Sequence, residues 1–315
     1  MYRIGVDLGG TNIAVGLVNE AMELVLKKSV PTGADRPGEE IVADIAAVCR
    51  AVCEEKGITL ADIACIGIAT PGIANHDTGV VEYANNLPFK KFPIADLLKE
   101  KLGADVKVKI ENDANAAAWG EAVAGAAKGT KNSVMITLGT GVGGGIIIDN
   151  KVFSGFNYAG GELGHIVIEV DGAPCSCGRK GCWEAYSSAT ALIRMTREKI
   201  DECRATGRAT VMTDQPKVSG RTACDAMRAG DAAGKEVYDK YVKYLASGLA
   251  TIINIFQPEV ISLGGGVSNE GQSLIDALLP IVRSEQYGGG VVPLTDIRIA
   301  KLGNDAGIIG AAMLG

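Results

Sequence analysis

The chain has 315 residues, 47% of them hydrophobic, which is enough for one large domain or two ordinary ones with well-filled cores. Its net charge of −6, without any basic cluster, argues against a nucleic-acid-binding protein. No apolar run reaches membrane-spanning length, and the N-terminus enters a strand pattern without a signal peptide, so we expect a cytoplasmic protein with reduced cysteines.

The first strong pattern is a strand, a tight turn and a second strand. Strands are predicted at residues 4–8, 13–18 and 24–30, and Gly9-Gly10-Thr11-Asn12 joins the first two. This turn lacks the lysine and following helix of a Walker loop, yet its backbone N–H groups and the Thr11 hydroxyl can hold phosphate oxygens. Asp7 ends the first strand, where a carboxylate can hold Mg²⁺ through water. A plain hairpin turn has the same features, so both interpretations stay open.

The next stretch contains helices, a strand and a polar loop. A helix is predicted over residues 37–56 before Gly57, a buried strand over 64–69 before Thr70-Pro71-Gly72, and a helix over 94–102 before Gly103. The loop contains Asn85-Asn86, whose amides suit sugar hydroxyls and equally suit a turn. We expect His76, in the same loop, to be exposed and uninvolved.

A candidate base follows the strand predicted over residues 106–110. Glu111-Asn112-Asp113 comes directly before an alanine-rich helix predicted over residues 114–127. Open α/β sheets bind ligands at the carboxyl ends of their strands, so Asp113 is well sited to take a proton from a substrate hydroxyl. The alternative is a helix N-cap, a position that Asp and Asn favour.

The second half repeats the opening pattern. A strand over residues 132–138, the glycine-rich segment 139–145 and a strand over 146–149 echo the first turn, which suggests a duplicated fold that holds phosphate. Largely helical sequence follows from 185 to 255, with a surface loop at 206–221. The chain then has a strand at 260–263 with the run Gly264-Gly265-Gly266, a helix at 273–283, a strand at 296–301 and a helix at 305–314.

A cysteine cluster lies within this second half, after the strand predicted over residues 146–149. Cys175, Cys177 and Cys182 fall within eight residues, and His165 lies ten residues upstream, before a strand-like segment at 166–170. Thiolate and imidazole are the donors of closed tetrahedral zinc sites, and Gly178 and Gly181 let the backbone turn tightly. We therefore predict a structural zinc knuckle. The other cysteines are expected to be inert, partly buried thiols: Cys49, Cys53, Cys65, Cys203 and Cys224.

Carboxylates flank this knuckle at both ends. Glu162 comes three residues before His165, and Glu184 two residues after Cys182. Neither is needed as a metal ligand, so together with a metal-oriented imidazole they can form a rigid pocket for a polyhydroxylated ligand. Solvated surface carboxylates are the alternative.

Taken together, these motifs resemble the ROK family of bacterial sugar kinases, and most closely the glucokinases within it. The resemblance spans almost the whole chain and rests on residues 7–12, 111–116, 138–145, 161–165 and 175–184. It implies the actin-like ATPase (ribonuclease H-like) α/β fold, with two α/β domains and an interdomain cleft that closes on sugar and ATP. The small domain would comprise residues 1–113 with the terminal helix 303–315, and the large domain residues 114–302, with the knuckle at 165–182.

The resemblance also implies roles. Asp113 would be the general base for the sugar 6-hydroxyl. The sugar ligands would be Gly72, Asn85, Asn86, Asn112, Asp113, Glu162, His165 and Glu184. The Mg-ATP set would be Asp7, Gly9, Gly10, Thr11, Asn12, Gly139, Thr140, Gly141, Gly143, Gly264, Gly265 and Gly266. The ligands of a structural Zn²⁺ would be His165, Cys175, Cys177 and Cys182.

The implied activity is ATP-dependent phosphorylation of glucose in glycolysis and carbohydrate metabolism, by a homodimer or homotetramer. A kinase for another hexose is the main alternative: mannose, N-acetylglucosamine, N-acetylmannosamine, allose or fructose. A non-catalytic sugar sensor should lack the base or the glycines, which are present. A DNA-binding repressor of this family would carry a winged helix-turn-helix before the first turn, for which we expect no room.

Overall fold

Buried apolar strands alternate with amphipathic helices along the chain, which confirms the predicted α/β class. The computed structural model of the protein describes residues 1–214 and 216–315. The first elements are β1 (Tyr2–Leu8), β2 (Asn12–Val18), β3 (Leu24–Pro31), α1 (Gly38–Lys56), β4 (Ile63–Thr70), β5 (Ile73–Asn75), β6 (Val80–Tyr83), β7 (Lys90–Phe92), α2 (Ile94–Leu102), β8 (Val108–Asn112) and α3 (Asp113–Val123). The others are β9 (Ser133–Leu138), β10 (Val142–Ile148), β11 (Lys151–Val152), α4 (Glu184–Ser187), α5 (Ala189–Thr206), α6 (Thr222–Arg228), α7 (Ala232–Phe256), β12 (Val260–Gly264), α8 (Gln272–Glu285), β13 (Asp296–Ile299) and α9 (Ala306–Ala312).

Two groups of residues are compact by their internal contacts. The first comprises residues 1–135, 145–161 and 300–315, and the second residues 136–144 and 162–299. The functional domain division at residue 113 stays a prediction. Among the described residues, no helix has both the length and the apolar character that crossing a bilayer requires.

The first sheet has the strand order β3-β2-β1-β4-β8. The pairs β1–β2 and β2–β3 are antiparallel, whereas β1–β4 and β4–β8 are parallel. Asp7 pairs with Ala69, and Thr70 pairs with Asn112, so three parallel strands end side by side. This register brings the segments after β1, β4 and β8 to one edge of the sheet, where open α/β sheets bind ligands.

A small sheet lies in the segment that the sequence predicted as a polar loop. Strands β5, β6 and β7 pair antiparallel in that order. The prediction missed them because each strand has only three or four residues, too few to show a period of two. Val81 and Phe92 are buried, which anchors the sheet to the core of the first group.

Helix α9 packs at backbone distance against β1, β4 and α3. A Cβ atom on Gly5 would lie 1.8 Å from the Ile308 carbonyl oxygen, and one on Gly67 would lie 1.8 Å from that of Ala311. A Cβ on Gly310 would lie 1.7 Å from the Ala116 carbonyl oxygen of α3. Glycine is therefore required at these positions by close approach, with no positive φ involved.

Glu121 is a fully buried carboxylate of α3. Its Oε2 accepts hydrogen bonds from the backbone N–H groups of Ala126 (2.6 Å) and Lys301 (3.1 Å), and its Oε1 accepts one from Leu302 (2.7 Å). Charge-assisted bonds to three backbone donors satisfy the buried charge and fix the segment that leads into α9.

The remaining large sheet has the order β11-β10-β9-β12-β13, with β12 and β13 parallel. β10 begins at Val142, so the predicted start at residue 146 is wrong: the last glycines of the run are already paired as strand. The strand predicted over 166–170 is also wrong, because only Val167 forms a bridge, with Cys182.

The other boundaries differ by a few residues. Helix α3 ends at Val123 rather than 127, and its carboxyl end continues in turns. The predicted surface loop 206–221 contains a short 3-10 turn with a buried Met212, and its residue Gln215 lies outside the described residues. The five scattered cysteines are free thiols, and all of them are buried rather than partly buried.

Candidate metal centre and active site

The four predicted zinc ligands lie together. The ligand atoms of His165, Cys175, Cys177 and Cys182 are all within 4.8 Å of one another. The Cys177 and Cys182 sulfurs are 3.7 Å apart, and the Cys175 sulfur is 3.7 Å from His165 Nδ1. Zn–S bonds of about 2.3 Å at tetrahedral angles place two sulfurs about 3.8 Å apart, so this donor set fits a tetrahedral Zn²⁺.

Tight turns make this arrangement possible. Gly178 and Gly181 have positive φ (87° and 76°), and a Cβ on Gly181 would lie 1.7 Å from the Glu169 carbonyl oxygen. The Cys175 N–H donates to the Arg179 carbonyl at 2.9 Å. Burial raises the pKa of Cys182 to about 12, so this thiol stays protonated unless a cation displaces its proton.

Trp183 anchors the end of the knuckle to α7. The indole is fully buried, its N–H donates to the Tyr244 carbonyl at 3.0 Å, and a Cβ on Gly248 would lie 2.0 Å from its ring. The buried Trp183 therefore fixes its two neighbours, Cys182 and Glu184, against α7.

His165 presents its two nitrogens to different groups. Nδ1 faces the Cys175 sulfur, whereas Nε2 lies 4.0 Å from a Glu162 oxygen. With Nδ1 on a metal, Nε2 is the nitrogen that keeps a proton, so it can donate to a ligand.

Glu184 connects the knuckle to the second glycine turn. Its Oε2 accepts from the Val142 backbone N–H at 3.0 Å, and its Oε1 accepts from the Ser176 hydroxyl at 3.1 Å. A Cβ on Gly141 would lie 2.3 Å from Oε2, so a larger residue there would push the Glu184 carboxylate from this position. Glu184 is thus hydrogen-bonded within the protein and is not a solvated surface carboxylate.

The second and third glycine segments lie against each other. The Gly139 N–H donates to the Gly141 carbonyl at 3.0 Å, and the Thr190 hydroxyl donates to the Thr140 carbonyl at 2.8 Å. Gly265 has φ 83°, and a Cβ there would lie 2.6 Å from the Leu138 carbonyl oxygen. The run Gly264–Gly266 therefore adjoins the strand end that leads into residues 139–143.

The first glycine turn is closed by its own backbone and by Thr32. The Gly9 N–H donates to the Asn12 carbonyl at 2.9 Å, and the Thr32 hydroxyl donates to the Gly9 carbonyl at 2.6 Å. A Cβ on Gly10 would lie 3.0 Å from the Asn86 amide nitrogen, so this turn touches the Asn85-Asn86 segment.

Asn112, rather than Asp113, is the N-cap of α3. Its side-chain oxygen accepts from Ala114 N (2.9 Å) and Asn115 N (3.2 Å), and its amide donates to the Gly72 carbonyl at 3.0 Å. Asp113 is the first helical residue and is exposed, with its Oδ1 near its neighbour's N–H. The N-cap role, which was the alternative for Asp113, therefore belongs to Asn112.

His76 is neither exposed nor uninvolved, so that prediction is wrong. Its Nδ1 lies 3.1 Å from Oε2 of Glu111, a carboxylate only 3% exposed. No role for His76 or Glu111 was predicted from the sequence. Glu111 does carry a signal, since an acidic residue in an otherwise buried strand requires a partner.

Comparisons with known proteins agree over the whole chain. A profile of the ROK family matches residues 3–315. A glucokinase of Halalkalibacterium halodurans is 38% identical, with 99% of this chain and 94% of the relative covered. An N-acetyl-D-glucosamine kinase of Aliivibrio salmonicida is 33% identical, with 98% of each covered. The crystal structure of a ROK family glucokinase from Streptomyces griseus with glucose and AMPPNP superposes with a TM-score of 0.78 at 34% identity, covering 100% and 99%. These likenesses confirm the expected actin-like ATPase fold.

Proposed function

The chain belongs to the ROK family, and from this membership we propose that it is an ATP-dependent glucose kinase that phosphorylates the 6-hydroxyl of glucose. The glucokinase relatives, matched over nearly their full length, support the reaction and the substrate. The observation that carries the site assignment is the capping of α3 by Asn112, which leaves the adjacent Asp113 carboxylate exposed at the edge of the sheet.

Asp113 acts as the general base. Phosphoryl transfer asks the protein mainly for positioning and charge stabilisation, so proton removal from the 6-hydroxyl can be late and needs no unusual pKa. Asn112 holds the β8–α3 junction through its bond to Gly72, which ties together the ends of β4 and β8. Position 72 requires glycine for two reasons. Its φ is 88°, and a Cβ there would lie 2.0 Å from the Tyr83 carbonyl oxygen.

The sugar hydroxyls are bound by carboxylates, amides and one imidazole. His165 donates through Nε2, and Glu162 and Glu184 accept. Glu184 exchanges the Ser176 hydroxyl for a sugar hydroxyl, which is a like-for-like replacement of one O–H donor by another. The amides of Asn85, Asn86 and Asn112 complete the set.

The nucleotide is held by backbone groups at three glycine segments. Residues Gly9 to Asn12, Gly139 to Gly143 and Gly264 to Gly266 offer N–H groups without obstructing side chains, which suits close approach of phosphates. Asp7, at the end of β1, would hold Mg²⁺, and this cation would neutralise charge on the transferred phosphoryl group.

The cysteine cluster binds a structural Zn²⁺. With four protein donors the coordination is closed, so the metal supplies rigidity and no Lewis-acid position. The residues of the chain orient the His165 ring so that Nε2 lies on the side of Glu162. Through the contact of Trp183 with α7, they also fix the position of Glu184.

A kinase for N-acetylglucosamine is the second candidate, since a relative with that name matches 98% of the chain at 33% identity. The two sugars share the hydroxyls at C1, C3, C4 and C6, and they differ at C2, where N-acetylglucosamine carries an acetamido group in place of a hydroxyl. One coupled assay of ATP consumption with Mg²⁺ separates them, across glucose, mannose, N-acetylglucosamine, N-acetylmannosamine and fructose. The proposal requires the highest kcat/KM for glucose. A higher kcat/KM for another hexose would leave the proposed site unchanged but would change the assigned substrate. The absence of turnover with every sugar would refute the assignment as a kinase.

Asp113→Asn tests the base. We expect kcat to fall by about 10²–10⁴-fold, the usual effect of general base loss. Glucose should still bind, which calorimetric titration measures. Near wild-type turnover in this variant would contradict the assignment of the base.

We propose that the enzyme acts in the cytoplasm as a homodimer or homotetramer. A reducing compartment keeps the knuckle thiols available to metal. An exposed apolar segment that includes Tyr287 (85% exposed) and Val291 (88%) supports self-association. Light scattering after size-exclusion chromatography measures the mass, and a monomer would contradict the proposed assembly.

A further inference from the structure

Glu111 is a buried carboxylate at the end of β8, directly before the Asn112 cap and Asp113. Its Oε1 accepts hydrogen bonds from the Asn112 backbone N–H (2.9 Å) and the Asn115 side-chain amide (3.1 Å). Its Oε2 lies 3.1 Å from His76 Nδ1. Both oxygens are thus engaged, and every partner except His76 belongs to the β8–α3 junction itself.

His76 reaches this junction from the turn after β5, and its ring is fixed on other sides. The ring lies edge-on to Tyr158, with centroids 5.0 Å apart, and the Tyr158 hydroxyl donates to Asp77 at 2.6 Å. Nε2 lies 3.7 Å from the other Asp77 oxygen. These contacts fix the orientation of the imidazole, so His76 can in turn fix the position of Glu111. We call this contact between His76 and Glu111 the brace.

We propose that His76 is a positioning residue for phosphoryl transfer: through Glu111 it fixes the first turn of α3, and with it the direction in which Asp113 presents its carboxylate. His76 does not touch the sugar in this proposal. The inference rests on the proposed role of Asp113 as the base. Removal of His76 leaves a buried carboxylate with neutral donors only, which is costly and favours rearrangement of the junction.

The charge on His76 gives the brace a pH dependence. The groups that face it are Glu111 and Lys109 from β8, Asp77 from its own turn, and the Tyr158 ring. The hydrogen bond to Glu111, opposed by burial and assisted by the charges of Glu111 and Asp77, raises the pKa of His76. The ion pair is therefore complete at low pH and weakens as the pH rises through this elevated pKa.

Two variants at position 76 distinguish a positioning role of the His76–Glu111 hydrogen bond from a role of the His76 side chain in packing alone. His76→Ala removes donor and charge, and we expect kcat to fall about tenfold, the effect of losing one charge-assisted hydrogen bond, with an unchanged KM for ATP. His76→Asn can place its amide N–H near the position of Nδ1, and we expect it to restore most of kcat. For the wild type, we expect kcat to decline as the pH rises above the pKa of His76. Asparagine cannot titrate, so this decline should be absent from His76→Asn.

The experiment measures kcat and KM against pH for the wild type, both His76 variants, Asp113→Asn and Lys151→Ala. Lys151 is an exposed residue that lines the same surface cavity as His76, and its variant should behave as the wild type. An unchanged kcat in His76→Ala, or a wild-type pH profile in His76→Asn, would overturn the inference. Active Asp113→Asn would instead overturn the base itself, so the two failures are distinguishable.

Discussion

The negative charge of Asp113 acts on Asp7 across the edge of the first sheet. Burial is the larger cause and Asp113 the second, and together they raise the pKa of the Asp7 carboxyl, against a smaller opposite effect of Lys27. Asp7 on β1 and Asp113 directly after β8, with β4 between the two strands, therefore repel each other while both are ionised.

Asp7→Asn should stabilise the protein without ligands and abolish turnover. An acid whose pKa is raised by folding binds its proton more tightly in the folded state, so folding stability is lost as the pH rises from about 3.8 through the elevated pKa. Above that window the asparagine avoids the cost, and we expect Tm to rise by about 1–3 °C. Differential scanning calorimetry at pH 7.5 measures it. A lower Tm in the variant would contradict this reading of Asp7.

Cys177→Ser should lose zinc, stability and glucose affinity together. The knuckle aims His165 and Glu184, so without its metal the Kd for glucose should rise at least about tenfold. Elemental analysis, thermal unfolding and calorimetric titration with glucose report the three properties.

Cys53→Ser is the matched control for that variant. Cys53 is a buried thiol of α1, outside the cluster, so its replacement costs stability but leaves the zinc content at that of the wild type. Intact sugar binding by zinc-free Cys177→Ser would refute the shaping role of the metal.

Gly5→Ala should destabilise the protein far more than Gly103→Ala. The new Cβ at position 5 meets the Ile308 carbonyl at 1.8 Å, so β1 or α9 must move, at a cost of about 3 kcal/mol or more. At Gly103 nothing lies within 4 Å, and only the positive φ of 61° is strained, at about 1 kcal/mol. Urea unfolding of both variants gives the two values. Equal losses of folding free energy in the two variants would contradict this prediction, because they would mean that α9 shifts away from β1 at little cost.

Glu121→Gln should cost about 1–3 kcal/mol of folding free energy, although it changes no exposed surface. Three backbone N–H groups point at the carboxylate, and the amide nitrogen of glutamine must face at least one of them. Urea unfolding measures the loss. A stability within about 0.5 kcal/mol of the wild type would contradict this expectation and show that the segment at residues 301–302 adapts to the amide.

Much of the architecture could be predicted because its signals are local. The helix stops at Gly57 and Gly103, the apolar run of β1 and the spacing of the cysteines are visible within ten or twenty residues, and the structure agrees with each. The short strands β5 to β7 carry too few residues for a period to appear, and the glycine run before residue 146 resembles a loop although it pairs as a strand.

The pairings that the sequence could not reveal are those between distant segments. His76 and Glu111 are 35 positions apart, and nothing at either site specifies the other. The roles of Asn112 and Asp113 illustrate the same limit, because both residues suit an N-cap by propensity. Only the three-dimensional register shows that the amide caps the helix and the neighbouring carboxylate is exposed.

The glycine contacts beneath α9 have a consequence for the order in which the protein forms. β1 (Tyr2–Leu8) and α9 (Ala306–Ala312) are about 300 residues apart, so the first sheet receives one of its covering helices only after all the intervening residues have been synthesised. Until then a furrow lined by Gly5 and Gly67 stays open to water, and non-local closure of this kind is slow. The packing of the first sheet should accordingly be completed late in folding, when α9 docks.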